Sequence, residues 1–291
     1  MLDVLCIGDV MLDVHASSGA LAQGGDVHGR VLVRPGGTSS NASVWAAWAG
    51  AAAGVVGAIG IDLVGDLLAG SLEARGVDVS GVVRRDGPTG VMLVVTESGE
   101  RSMVADRGAN AALESEDLPS PLEARGVLVS GYLLLQEPGH EVALAALALA
   151  GADLLAVEAA SWPLVESFGI PRFFAETAHA TVVFANEDEA RVLTGEDGAD
   201  AARALGERYR VAAVKRGRDG AALCVDGALH EAPGDEVVAL DPTGAGDAFD
   251  GVLLARLALG DEPPLALAAA CRAGGLVAAS LENWPQEGWS P

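Results

Sequence analysis

An α/β architecture with a mostly parallel central sheet and a small β flap follows from three features of this 291-residue chain. From Val127 onward, apolar runs of strand length alternate with helical patterns, the signature of parallel βαβ units. Three short β-type pieces, 82–84, 90–96 and 102–105, are joined by turns too short for crossover helices. Near the C-terminal end, a glycine-rich turn at 241–251 opens directly into a helical pattern.

In chain order, Asp3 to Gly8 reads as a buried strand ending at a glycine. Asp9 then reads as a turn or cap residue. Asp13 falls just past the strand end, where open α/β sheets place their ligands, an exposed loop acid being the alternative. The segment 14–34 starts glycine-rich and becomes strand-like from Val27 to Arg34. Gly36 and Gly37 precede Thr38, Ser39, Ser40 and Asn41, which open an Ala/Trp-rich helix to about Gly50. Two glycines before hydroxyls at a helix start permit close backbone approach as well as simple capping. Gly54 to Gly60 reads as the second sheet strand, with a helix starting at Ile61 to Asp66. Turns at Asp86-Gly87-Pro88 and Glu97 to Glu100 separate the three short β pieces. Together with 14–34 they read as an antiparallel flap. The later sheet strands fall at 127–130, 153–157, 181–185 and 211–215. No linker, low-complexity tract or repeat divides the chain, so 1–291 is expected to be one domain.

Composition narrows the partners. Half of the residues are hydrophobic and only 4% are aromatic, so the core is built from Ala, Val and Leu. A net charge of −23 argues against nucleic acid and anionic membrane. An anionic ligand would need local amide dipoles, Mg²⁺ or isolated cations to offset that field. Lys215 is the one lysine beside 17 arginines. Cys6, Cys224 and Cys271 are scattered in apolar settings and read as reduced core residues of a cytoplasmic protein. No signal peptide is evident, and the Ala-rich runs at 142–150 and 265–273 are too short to span a bilayer. The five histidines show no metal-ligand spacing.

The chemistry concentrates at Asp241-Pro242-Thr243-Gly244-Ala245-Gly246-Asp247-Ala248-Phe249-Asp250-Gly251. Gly244 and Gly246 let the backbone turn tightly where the helix begins. First-turn amides from Ala245 to Asp247 then offer free N–H groups and a positive dipole end to an anion such as a phosphate. Asp247 sits in that same turn. It can cap the helix, or accept a proton from a hydroxyl that attacks the phosphate. Asn186 to Glu189 starts another helix after a core strand, where capping alone would also account for it. Lys215 to Gly220 follows the next strand, and its cations either offset negative charge there or sit on the surface.

The stretch 241–249 resembles the C-terminal signature of the ribokinase-like (phosphofructokinase B-type, PfkB) carbohydrate kinases, commonly Asp-Thr-Thr-Gly-Ala-Gly-Asp-Ala-Phe, with Pro242 the one departure. Further resemblances follow in family order: Gly36-Gly37 through Asn41, Gly60 to Gly65, Gly108-Ala109-Asn110, Asn186-x-x-Glu189 and Gly217-x-x-Gly220. The resemblance implies a three-layer α/β/α fold with a β lid, formed by about 14–34 and 80–107, over the sugar. It implies an ATP-dependent kinase with Asp247 as catalytic base and Gly244, Ala245 and Gly246 as anion hole. Asp13, Gly36, Gly37 and Asn41 become sugar-binding positions. Arg107 becomes a partner for a substrate carboxylate in kinases of keto-deoxy sugar acids, a surface arginine being the plainer reading. Asn186 and Glu189 become organisers of Mg²⁺ through water, and Asn186, Lys215, Gly217, Gly220 and Thr243 border ATP. Residues 265–279 flank adenine. In some relatives K⁺ binds at the positions of Asp241 and 275–280, and the lid often supplies a homodimer contact.

The resemblance points to a small neutral carbohydrate as acceptor. A nucleoside or a 2-keto-3-deoxy sugar acid is the alternative, and few aromatics speak against base stacking. A catalytically silent sugar-binding protein on the same fold is the reading of another class, which the intact Asp247, Asn186 and Glu189 oppose. A dinucleotide-dependent oxidoreductase is disfavoured because no Gly-x-Gly-x-x-Gly follows the first strand.

Overall fold

The computed structural model describes residues 1–19, 24–97 and 100–290. The chain opens with β1 (Leu2–Ile7), then β2 (Met11–Ser18) and β3 (Arg30–Gly36). After these come α1 (Thr38–Trp48), β4 (Ala53–Gly60), α2 (Leu63–Glu73), β5 (Asp78–Arg85), β6 (Val91–Glu97) and β7 (Glu100–Asp106). The middle of the chain forms β8 (Ala124–Val129), α3 (Gly131–Leu134), α4 (His140–Leu149), β9 (Leu154–Glu158), α5 (Trp162–Phe168) and α6 (Ile170–Glu176). It continues with β10 (Val182–Asn186), α7 (Glu187–Thr194), α8 (Gly198–Gly206), β11 (Val211–Lys215), β12 (Ala221–Val225) and β13 (Ala228–Ala232). Two long helices, α9 (Ala245–Ala258) and α10 (Pro263–Ala278), follow.

Nine strands form the central sheet in the order β13-β12-β11-β10-β9-β8-β1-β4-β5. It is parallel from β11 to β5, whereas β12 and β13 are antiparallel at one edge. Period-two alternation sends each strand's apolar side chains to opposite layers. In β1, Leu5 and Ile7 pack with Leu133, Val142 and Phe173 on one side. Val4 and Cys6 pack with Trp45, Val252 and Leu254 on the other. A sheet buried on both faces explains why its strands read as continuous apolar runs. This is the three-layer α/β/α arrangement.

A second sheet of four strands, β3-β2-β6-β7, forms the lid. Two sequence expectations are corrected here. Residues 82–84 belong to β5, which pairs in parallel with β4 across the α2 crossover and lies in the central sheet. The short connection is the next one, where the chain leaves β5 for the lid. The lid is also not wholly antiparallel, because β2 and β6 run parallel. Between them the chain makes β3, α1, β4, α2 and β5, so β6 returns to β2 from the far side of a long excursion and not through a hairpin.

The β12–β13 hairpin was unassigned from sequence. Its turn is Asp226-Gly227, with φ of 48° and 80°, the positive-φ pair that a tight hairpin demands. Residues 233–240 form an irregular loop, with Val238 and Leu240 exposed.

Candidate active site

A cleft of about 1180 Å³ runs between the C-terminal ends of the parallel strands and the inner face of the lid. Its centre is the N-terminus of α9. Gly244 adopts φ 83°, a left-handed conformation that lets the chain reverse into the helix. The Ala245 amide donates to the Pro242 carbonyl at 3.1 Å, so it is not a free donor as the sequence suggested. The first-turn amides that helix geometry leaves open are those of Gly246 and Asp247.

Asp247 accepts a hydrogen bond from Asn41 Nδ2 at 2.7 Å. The amide of Asn41 is itself oriented, because its Oδ1 accepts from Trp284 Nε1 at 2.8 Å. Burial pushes the Asp247 carboxyl up to about 7; Asn41 and Lys215 oppose that rise, while Asp250 and Asp13 add to it. The group is therefore poised near neutrality, the range that suits proton abstraction.

At one end of the cleft, Asp13 lies within β2 on the inner face of the lid, not in a loop beyond β1. Its carboxylate accepts from Asn283 Nδ2 at 3.0 Å, and burial raises it to about 6. Gly36 is not in the cleft wall. A Cβ there would sit 2.2 Å from the Asp13 carboxyl carbon, so its role is to leave room for that side chain. Gly37 does line the cleft, at φ 94°, with its Cα packed so closely on β1's exit that a Cβ would meet the Asp9 carbonyl oxygen at 2.4 Å.

Arg107 also faces the cleft, where its Nη2 donates to Asp9 Oδ1 at 2.6 Å. Asp9 is thus a buried ion-pair partner in the wall, not a turn residue. Asn110 secures this corner by bonding both the amide and the carbonyl of Val10 at 3.0 Å. The lid presents Met11, Met92, Val94 and Met103 to the same space, an apolar wall opposite a polar floor.

At the other end, Asn186 caps α7. Its Oδ1 accepts the Glu189 amide at 2.9 Å, and Glu189 returns bonds to the Asn186 amide at 2.8 Å and to Nδ2 at 2.6 Å. Burial raises the Glu189 carboxyl, against the pull of Lys215. Lys215, at the end of β11, donates to Asp250 Oδ2 at 2.7 Å. Burial alone would depress the Lys215 ammonium, but Asp250, Glu189 and Glu158 outweigh it and hold it firmly charged. Glu158, ending β9, is raised well above the usual range by burial and by the charges of Asp247 and Asp250. Gly217, Gly220 and Thr243 border the same region, with Cys271, Gly274, Gly275 and Ala278 forming a smooth helical face of α10.

The donor set fits Mg²⁺ held through its water. Among the described residues no group of three acidic, His or Cys side chains forms a direct metal cage. Glu158, Glu189, Asp247 and Asp250 nevertheless crowd together, and Asp250 Oδ1 is buried without a partner. A hydrated divalent ion relieves such like-charge crowding while keeping its own waters.

Of the sequence-predicted positions, Asp13, Gly37, Asn41, Arg107, Asn186, Glu189, Lys215, Gly217, Gly220, Thr243, Gly244, Ala245, Gly246 and Asp247 all border this one cleft. Asp241 lies below it, with its carboxylate on Arg34 and on the Thr243 amide. Sequence reasoning missed Asp9, Glu158 and Asp250. Glu158 had a signal, a lone acid at the C-terminal end of an apolar strand. Asp250 had one too, three residues after Asp247 on the same helix.

Open amides at a helix N-terminus, a half-buried carboxylate beside them and a lidded cleft suit one class of protein, phosphotransferases acting on a hydroxyl group. The chain matches the pfkB family carbohydrate kinase pattern over residues 1–282 and belongs to that family. It is 32% identical over 281 residues to the ATP-dependent ribose-1-phosphate kinase of Halopiger xanaduensis, covering 94% of this chain and 91% of that protein. It is 29% identical over 266 residues to the fructokinase of Escherichia coli, covering 87% and 84%. The fold matches the crystal structure of a probable sugar kinase protein from Rhizobium etli CFN 42 with a TM-score of 0.86 at 22% identity, over 98% and 95% of the two chains. The chain is accordingly an ATP-dependent kinase of the sugar kinase type. No helix among the described residues is long and apolar enough to cross a membrane.

Proposed function

We propose that this kinase moves the γ-phosphate of ATP to a hydroxyl of a small neutral carbohydrate held between Asp13, Gly37 and Asn41, with Asp247 as the base. The observation that carries the reading is the position of Asp247, half-buried on the first turn of α9 and hydrogen-bonded to Asn41 beside the open amides of Gly246 and Asp247. The acceptor hydroxyl lies against Asp247, which takes its proton as the oxygen attacks. The amides stabilise charge on the transferring group, and positioning supplies most of the remaining rate. Lys215 offsets negative charge where Asn186, Gly217, Gly220 and Thr243 border the nucleotide. Asn186 and Glu189 would hold Mg²⁺ through its waters, and the ion would supply neutralisation of phosphate charge.

The pairing of Arg107 with Asp9 supports a neutral acceptor, because the guanidinium already has a carboxylate. A sugar 1-phosphate is the second reading, favoured by the Halopiger relative's own substrate and by Arg107 as the cation at that end of the cleft. The outer lid face exposes Val31, Val33 and Val104, which fits a second copy of this chain, checked by sedimentation velocity over a concentration series. A cytoplasmic location fits the buried free cysteines and the ATP requirement.

The test is ATP consumption with Mg²⁺ against ribose, fructose, ribose 1-phosphate, keto-deoxygluconate, inositol and nucleosides, for the native chain and Asp247→Asn. The variant is expected to keep acceptor binding and lose on the order of 10²–10⁴ in kcat. Near-normal turnover in Asp247→Asn removes the base from this aspartate. Binding of several sugars without turnover by the native chain favours a silent binder.

A further inference from the structure

The loop that feeds the α9 turn is met by a cation from the lid. Arg34 reaches from β3 into the space below the cleft, where it is 5% exposed. Its Nη2 donates to Asp241 Oδ2 at 2.7 Å, and its Nη1 donates to the Leu281 carbonyl oxygen. His15 on β2 joins them, with Nε2 3.0 Å from Arg34 Nη2 and Nδ1 3.4 Å from Asp241 Oδ2. The other Asp241 oxygen receives the Thr243 amide at 3.0 Å. Two residues earlier than Thr243 the loop is tied again, by Asp241 and Leu240 amides that donate to the Ala278 carbonyl at 3.3 and 2.7 Å.

One guanidinium thus closes a ring of three segments: the lid strand β3, the 240–244 loop and the turn after α10. Against burial, hydrogen bonds from the Thr243 hydroxyl and amide, then the hydrogen bond and charge of Arg34, hold the Asp241 carboxyl well below its ordinary range. A bare monovalent ion at this place would need the Asp241 carboxylate and carbonyls of the 278–281 turn. The guanidinium already occupies that carboxylate oxygen and the Leu281 carbonyl, so these residues do not fit a free K⁺ as well. Arginine suits the position because it stays charged when buried and its planar fork spans two acceptors at once.

We propose that Arg34 is a tethered replacement for a monovalent cation, which makes phosphoryl transfer by this enzyme independent of K⁺. Arg34 is a positioning residue. It neutralises Asp241 and fixes the loop from which Gly244 and the first turn of α9 spring. It does so from the lid, as the cross-strand neighbour of Asp13. The arrangement of the phosphate-binding turn is thereby tied to the strand pair that holds the acceptor, a coupling that a diffusible ion would not supply.

The turnover arm of the test rests on the kinase reading; the melting arm does not, so the two failures are distinguishable. In the native enzyme, turnover of whichever acceptor proves active is expected to agree within about twofold between KCl and tetramethylammonium chloride at equal ionic strength. Its melting temperature is expected to be the same in both salts. Activation of about tenfold or more by K⁺, or a K⁺-specific rise in native melting temperature, overturns the proposal. In Arg34→Ala, kcat/KM is expected to fall by on the order of 10²-fold, the scale for breaking a buried charge pair. K⁺ or guanidinium ion then restores part of the rate, and K⁺ raises the variant's melting temperature by mass action. A loss that neither ion relieves marks Arg34 as merely structural and also overturns it. Should Arg34→Ala not fold, Arg34→Met keeps the stem volume without the charge, and the native-enzyme arms decide without any variant.

Discussion

Removing the Asn41 amide is expected to move the acid limb of activity upward in pH. Asn41 Nδ2 donates to Asp247 Oδ2 at 2.7 Å, and this bond favours the ionised carboxylate, holding to about 7 a group that burial would push higher. A hydrogen bond to a charged, buried acceptor contributes about 1.5–3 kcal/mol. At about 1.4 kcal/mol per pH unit, its loss corresponds to about one to two units. The base must be ionised to act, so a higher pKa means that activity is lost at a higher pH as the solution is acidified. In Asn41→Ala the limb of kcat/KM against pH is therefore expected about one to two units above that of the native enzyme under the same conditions. The plateau above it should be approached again in alkaline buffer. Trp284→Phe, which removes the indole N–H that orients Asn41, should shift the limb in the same direction by less. The measurement is kcat/KM for the acceptor at saturating Mg–ATP across that range. A limb that stays in place while only the plateau falls would refute the coupling and leave Asn41 as a binding residue alone.

Lys215→Met strips the ammonium from Asp250, a fully buried carboxylate whose other oxygen has no partner. Breaking such a pair costs about 3–5 kcal/mol where Asp250 is ionised. Burial raises Asp250 from its ordinary 3.8 to about 6, so the folded state binds more protons than the unfolded one, and stability falls as pH rises through about 6. Without Lys215 that fall should deepen and extend to higher pH. Urea unfolding at about pH 5 and about pH 8 should show the larger loss at the higher pH, and equal losses would sink the argument. Arg107→Leu combined with Asp9→Asn removes an ion pair without stranding either charge. With a neutral acceptor, KM should change by less than about tenfold. A rise of more than about 10²-fold, the scale of a lost contact to an anion, would favour an acidic or phosphorylated acceptor.

The parallel sheet was legible because strands buried on both faces are apolar up to their ends, as at 154–157 and 182–185, and because they alternate with helical patterns. Residues 82–84 misled because a strand's sheet is set by its pairing partner, not by its composition or by the turns beside it. The β12–β13 hairpin carried its own signal in Asp226-Gly227 and needed only to be read. The α9 turn was legible because glycine conformations are encoded locally. What tunes that turn was not. Asn283 touches Asp13 across 270 positions and Trp284 touches Asn41 across 243, both from an irregular tail with no periodicity to place it. Arg34 looked like one arginine among 17, and only the approach of β3 to the 240–244 loop gives it Asp241.

In a chain of net charge −23, three of the cations that reach the cleft and the space beneath it are paired: Arg107 with Asp9, Arg34 with Asp241 and Lys215 with Asp250. Each therefore acts less as bait for an anion than as a fixed counter-charge that lets a carboxylate stay buried. Asp13, Glu158, Glu189, Asp247 and Asp250 are all raised by burial, and several raise one another. The free protein thus stores electrostatic strain that grows as pH rises. The stability loss expected in Lys215→Met and the shifted limb expected in Asn41→Ala are two readings of that one network. A donor or a positive charge placed among these carboxylates lowers their pKa values together, which stabilises the fold and ionises the base in the same act. Mg²⁺ held through Asn186 and Glu189 would enter the network on the same terms, so the ion that neutralises the phosphates would also help to keep Asp247 ready to take its proton.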